Sequence, residues 1–124
     1  MQPESAAFVW DARRAAELAM AFVDGVGEAE YVADDLRRSA VERQLEILGE
    51  ALNNLRKADP ATAARVTDVN RIIGMRNVLA HGYAVVDDSV TYDAAARRLA
   101  ALVGDLDGLL SSQPGGTPPE VTGV

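Results

Sequence analysis

The chain has no cysteine and a single histidine, His81. The first absence excludes disulfides and thiolate metal sites. The second leaves too few imidazoles for an ordinary zinc centre, and no metal or other cofactor is expected. Long apolar runs are also missing, so no segment can cross a bilayer. The start of the chain, Met1 to Phe8, lacks the basic stretch and apolar run of a signal peptide. A soluble, cytoplasmic protein without membrane association is the expectation. What is present is enough chain, 124 residues, for one domain with its own core.

The net charge of −7 argues at first against a nucleic-acid partner. The acids, however, are unevenly spread. Residues 1–36 hold eight acids and two arginines, and residues 99–124 hold three acids and no base. Between them, residues 37–98 hold nine arginines and one lysine against eight acids, so the middle of the chain is slightly basic. An acidic surface also suits docking to a basic protein.

Apolar periodicity predicts an all-α protein. A first amphipathic helix spans about residues 7–24, with Phe8, Ala12, Ala15, Ala19, Phe22 and Val23 on one side. Trp10 is expected in the core. A second helix begins near Glu30 or Asp34 and runs to Lys57, with Val32, Leu36, Val41, Leu45, Leu48, Leu52 and Leu55 as its stripe. Gly49 in its middle costs about 1 kcal/mol relative to alanine. Either another helix approaches closely there, from this chain or a second copy, or the helix simply tolerates it.

Asp59-Pro60 ends that helix, because proline disfavours helical geometry in the residue before it. An Ala-rich turn follows, and then a third helix capped by Thr67 or Asp68. Its apolar side is Val69, Ile72, Ile73, Val78 and Leu79, and Gly82 is its terminator. A fourth helix, capped by Asp88 or Ser89, runs to about Ser111 with Val90, Leu99, Leu102, Leu106, Leu109 and Leu110 buried. The domain thus spans residues 1–112 as an antiparallel bundle of four main helices, with room for a short fifth. Residues 113–124, with three prolines and three glycines, are expected to be a disordered tail.

Chemistry concentrates between Gly74 and Tyr83, which hold Arg76, Asn77, His81 and Tyr83 within ten residues. Asn77 and His81 are four apart and share a helix face, so the amide is placed to orient the imidazole. Arg76 carries a planar fork suited to a phosphate. Arginine plus histidine is the minimum set for metal-free RNA cleavage, with histidine moving a proton and arginine stabilising the charge on the phosphate. One histidine cannot readily act as both base and acid, and a symmetric dimer would supply two motifs. The competing structural reading makes His81 a helix C-terminal cap and Arg76 a bridge to Glu46 or Glu50, with Tyr83 a packing aromatic.

Arg76-Asn77, three further residues, then His81-Gly82-Tyr83 resembles the Arg-x4-His-x-Tyr motif of HEPN-domain toxins of the HepT type. Ala40 to Ala51, reading Ala-Val-Glu-Arg-Gln-Leu-Glu-Ile-Leu-Gly-Glu-Ala, resembles the second-helix signature of that family, and Ile72 to Met75 its lead into the motif. The resemblance covers about residues 7–110. Thr67-Asp68-Val69 stands where the family often has a tryptophan, and Tyr92 replaces another.

The resemblance implies a bundle that forms a homodimer with paired motifs in a shared cleft. It further implies a metal-independent ribonuclease toxin of a type VII toxin–antitoxin system, cutting cellular RNA, in some members tRNA. Its partner would be a minimal nucleotidyltransferase antitoxin of the MntA type, which transfers AMP from ATP to the motif tyrosine. Carried over by position, Arg76 and His81 are catalytic, Asn77 is supporting and Tyr83 is the residue modified. The alternative is a non-catalytic HEPN module that binds a nucleotide or a nucleotidyltransferase.

Overall fold

The computed structural model describes residues 1–82 and 86–112, and among them every regular element is helical. The elements are α1 (Ser5–Val23), α2 (Glu28–Ala33), α3 (Asp35–Ala58), α4 (Pro60–Ala63), α5 (Val69–His81), α6 (Asp88–Asp93), a π-helical turn (Ala94–Arg98) and α7 (Leu99–Ser111). The expected disordered tail at residues 113–124 lies outside the described residues.

The core forms because three stripes of different bulk meet. Helix α1 offers mostly small groups, burying Val9, Ala12, Ala15, Ala16, Ala19 and Val23. That flat alanine surface lets α3 come close, and α3 fills the space with Val41, Leu45, Leu48, Leu52 and Leu55, each fully buried. Helix α3 therefore sits between α1 and α5, and α7 packs on α1 with Leu99, Leu102 and Leu106. Trp10 stands half-buried at the rim of this core, its ring covered by the Arg13 guanidinium 5.4 Å from the centroid.

One open choice is decided and three expectations need correction. Of the two starts expected for the second helix, Asp34 is the one observed: its backbone is extended and its carboxylate accepts the Arg37 N–H at 3.0 Å to start α3, while Glu28–Ala33 form the separate α2. The stripe at its start is overturned: Val32 is 44% and Leu36 82% exposed, and burial of the α3 stripe begins only at Val41. The supposed Ala-rich turn contains α4, because Pro60 sits in its first turn and Asp59 caps it. The fourth helix is not uniform. Asp87, not Asp88 or Ser89, caps α6 by accepting the Ser89 N–H at 3.0 Å, a π-helical turn interrupts the run, and Val90 is exposed.

Two polar clusters lock the ends of the bundle. The Asp59 carboxylate accepts from the Gln2 N–H at 3.0 Å, Ser5 Oγ at 3.1 Å and Thr62 Oγ1 at 2.7 Å, tying the start of α1 to the α3–α4 corner. These donors, the Gln2 amide first, hold its pKa down at about 2. At the other end, Tyr31 and Thr91 share a hydrogen bond of 2.8 Å and the Tyr92 hydroxyl donates to the Val26 carbonyl at 2.6 Å. Burial pushes the Tyr31 phenol up from its usual value.

Candidate active site on helix α5

Helix α5 is anchored at both ends by backbone in the left-handed region. At its C-terminus Gly82, with φ of 63°, donates its N–H to the Val78 carbonyl at 3.1 Å, the expected terminator. At its N-terminus Asp68 has φ of 61° and makes no side-chain cap. Asp68 holds the N-cap position as expected, but neither candidate caps with its side chain, because tertiary partners take both. Asp68 binds Arg98 through Nε at 3.0 Å and Nη2 at 3.2 Å, which lowers its carboxyl pKa. Thr67 gives its backbone N–H and its hydroxyl to Asp105 at 2.7 and 2.5 Å.

Between these anchors α5 packs on α3 through buried Ile72 and Ile73, with Val69 and Leu79 half-buried. Arg76 belongs to the same inward side. Its stem crosses α3 at Gly49, where an added Cβ would lie 2.2 Å from Arg76 Cβ, 2.7 Å from its Cγ and 3.2 Å from the Ile72 carbonyl. Gly49 is therefore required by a close approach within the chain, and mere tolerance does not account for it.

The Arg76 guanidinium emerges from this notch, the side chain as a whole being 26% exposed. Nη2 donates to Glu50 Oε2 at 2.6 Å and Nη1 to Asn77 Oδ1 at 3.1 Å. The bridge to Glu50 is one of the two that the competing structural reading allowed. The guanidinium borders a groove of about 560 Å³ between α1 and α3, where Arg14 and Arg43 face Asp11, Glu46 and Glu50 over an apolar floor that includes Phe8 and Ile47.

His81 stands exposed in the last turn of α5. It lies five positions after Arg76, a step of about 140° around a helix, so the two side chains leave α5 in different directions. Asn77, also exposed, lies between them in angle and takes the Arg76 contact. The remaining outward side carries Gly74, with open space around it, and Val78, 41% exposed rather than on the buried stripe where the periodicity put it. Beside it runs an apolar groove of about 390 Å³ lined by Met75, Leu79, Val86 and Val90. Tyr83, the proposed modified residue, lies outside the described residues. Among the described residues, no three His, Cys, Asp or Glu side chains gather as a metal cage, and no helix is long and apolar enough to cross a membrane.

Glu50 is the contact for which the sequence offered only an ambiguous sign, since Glu46 is equally one helical turn from its neighbour. The glycine at 49 was the better signal: it marks where α5 touches α3, and Glu50 is the next residue.

The family model described as ribonuclease HepT-like matches residues 12–106, and the chain belongs to that family. The match takes in Gly49 and Glu50 on α3 and the whole of α5. The all-α architecture agrees with a HepT-type HEPN domain. No solved structure matches the chain.

Proposed function

We propose that this protein is a ribonuclease toxin of the HEPN type in which Arg76 and His81 cut RNA without a metal. The observation that carries the reading is the solvent access of both groups on one helix of a ribonuclease HepT-like domain. In the reaction, an imidazole takes the proton of a ribose 2′-hydroxyl as its oxygen attacks the adjacent phosphate. The 5′-oxygen of the next nucleotide leaves with a proton from a second imidazole, giving a cyclic phosphate and a free 5′-hydroxyl. Arg76 stabilises the negative charge that builds on the phosphate oxygens.

The 140° separation of Arg76 and His81 supports a shared site. A second copy placed across the outward side of α5 would bring its own His81 and Arg76, supplying acid and base from two chains. The exposed Val78, the bare Gly74 and the apolar groove beside them fit a surface that another helix covers.

The regulation we propose is transfer of AMP from ATP to the Tyr83 hydroxyl by a nucleotidyltransferase partner of the MntA type, releasing pyrophosphate. A phosphodiester two residues from His81 would compete for the site where an RNA phosphate must sit.

Induced expression of the wild type against Arg76→Ala and His81→Ala tests the proposal. The wild type arrests growth and fragments cellular RNA, tRNA included, and each variant loses both effects. A wild type that leaves RNA intact in the absence of its partner sinks the ribonuclease reading in favour of a non-catalytic module. For the regulation, intact-mass measurement after incubation with partner and ATP shows added AMP that disappears in Tyr83→Phe. Undiminished addition in that variant moves the modified position elsewhere.

A further inference from the structure

We propose that Glu50, working with the bare backbone of Gly49, is the positioning residue for Arg76. The proposal rests on the ribonuclease reading and concerns how its arginine is aimed. An arginine side chain has many rotamers, and holding it in one costs entropy that a catalytic site must overcome in advance. Two features of the α3–α5 contact do this at successive points along the side chain. The Gly49 notch fixes the Cβ–Cγ stem, because Cβ moves only with the α5 backbone and the facing backbone has no side chain to push it away. One residue further, the Glu50 carboxylate holds Nη2 at 2.6 Å while Asn77 Oδ1 holds Nη1 at 3.1 Å.

Both terminal nitrogens are thereby held, each by a single contact. A guanidinium has five N–H donors, so the others stay available to a phosphate. Glu50 is itself half-exposed and borders the same groove, so substrate reaching Arg76 meets a guanidinium already oriented. Glycine and glutamate at 49 and 50 are thus one device: the first admits the stem and the second aims the head.

The test compares Glu50→Gln, Glu50→Asp and a control, Asp35→Asn, which removes another α3 carboxylate paired with an arginine, Arg38, at 2.6 Å. Single-turnover and steady-state cleavage of a short RNA gives kcat and KM separately. Nitrogen-15 NMR of the Arg76 guanidinium reads whether its terminal nitrogens are rotationally held. Glu50→Gln lowers kcat by about 10- to 100-fold with little change in KM, and the Arg76 Nη signals merge. Glu50→Asp recovers part of the rate, and Asp35→Asn keeps it.

Unchanged or faster cleavage by Glu50→Gln overturns the proposal, as does an equal loss in Asp35→Asn, which would make the effect one of overall charge. A wild type that leaves the RNA uncut, with Nη signals that still depend on Glu50, removes the ribonuclease reading and leaves the contact standing as structure only. A wild type that cuts RNA while its Arg76 signals ignore Glu50 removes the positioning role alone.

Discussion

The two sides of α5 are built on opposite principles. The side facing α3 is filled: Ile72 and Ile73 are buried, and Arg76 presses on Gly49 with no room for one further carbon. The outward side is open among the described residues, with nothing within 4 Å of a Cβ added at Gly74 and Val78 left 41% exposed. The same helix therefore carries a side packed tightly on α3 and a side that, among the described residues, is left largely open. In a native interior the first is ordinary, because cores pack to crystal-like density. The second is informative, since His81 rises beside it. His81 and the exposed Val78 lie toward the same side of α5.

Substitutions on the two sides separate these principles. Ile72→Ala on the filled side removes buried methyl groups and leaves a cavity, and is expected to cost about 2–5 kcal/mol. Val78→Ala on the open side stays within about 0.5 kcal/mol in the monomer. Equal losses in urea unfolding of the two variants would contradict the division. Gly49→Ala comes next. Alanine is the better helix former by about 1 kcal/mol, yet here its methyl would overlap Arg76 Cβ, and overpacking of that kind costs about 1–3 kcal/mol. The expected outcome is net destabilisation together with lost cleavage. A Gly49→Ala protein as stable and active as wild type would show that α5 shifts away freely.

The anchor of α5 gives a pH dependence. Arg98 holds the Asp68 carboxyl below its ordinary 3.8, so its folded value lies under its unfolded one. Stability from this pair is complete above pH 3.8 and is lost as the pH falls through the lowered value. Asn accepts the left-handed backbone at this position but carries no charge. Asp68→Asn is therefore less stable than wild type near neutrality, and the two curves converge in acid. Unfolding midpoints measured between neutral pH and about pH 2 check this, and a constant gap across the range refutes it.

How much of this was legible beforehand follows from the range of each signal. Helix identity, the stripe from Val41 to Leu55 and the Gly82 terminator are local, set by period and by backbone preference, and the structure agrees with them. The start at Asp34 is one of two left open, because Asp34 and Asp35 also read as first-turn acids within a longer helix from Glu30. Asp68 does hold the N-cap, but side-chain capping was not legible: Asp105 and Arg98, distant in sequence, claim the Thr67 and Asp68 side chains. At the site, the motif spacing showed which residues stand together on α5. It could not show that Arg76 and His81 diverge in use, one pressed on α3 and one in solvent, because α3's position enters only through packing.

A small stabilising effect is the most discriminating for the open side. Gly74→Ala adds a methyl to a mid-helix position with empty space around it, and should stabilise the isolated chain by about 0.5–1 kcal/mol, the ordinary helical preference for alanine over glycine. If the outward side of α5 faces only solvent, the gain in melting temperature is the same at every protein concentration. If a second copy closes over that side, as the proposed shared site requires, the methyl intrudes between two helices. The gain then shrinks or reverses at concentrations where the dimer forms, and cleavage falls with it. Melting curves of Gly74→Ala over a wide concentration series, set beside its cleavage rate, distinguish the two outcomes. A concentration-independent gain with full activity would break the link between the open surface and the second imidazole.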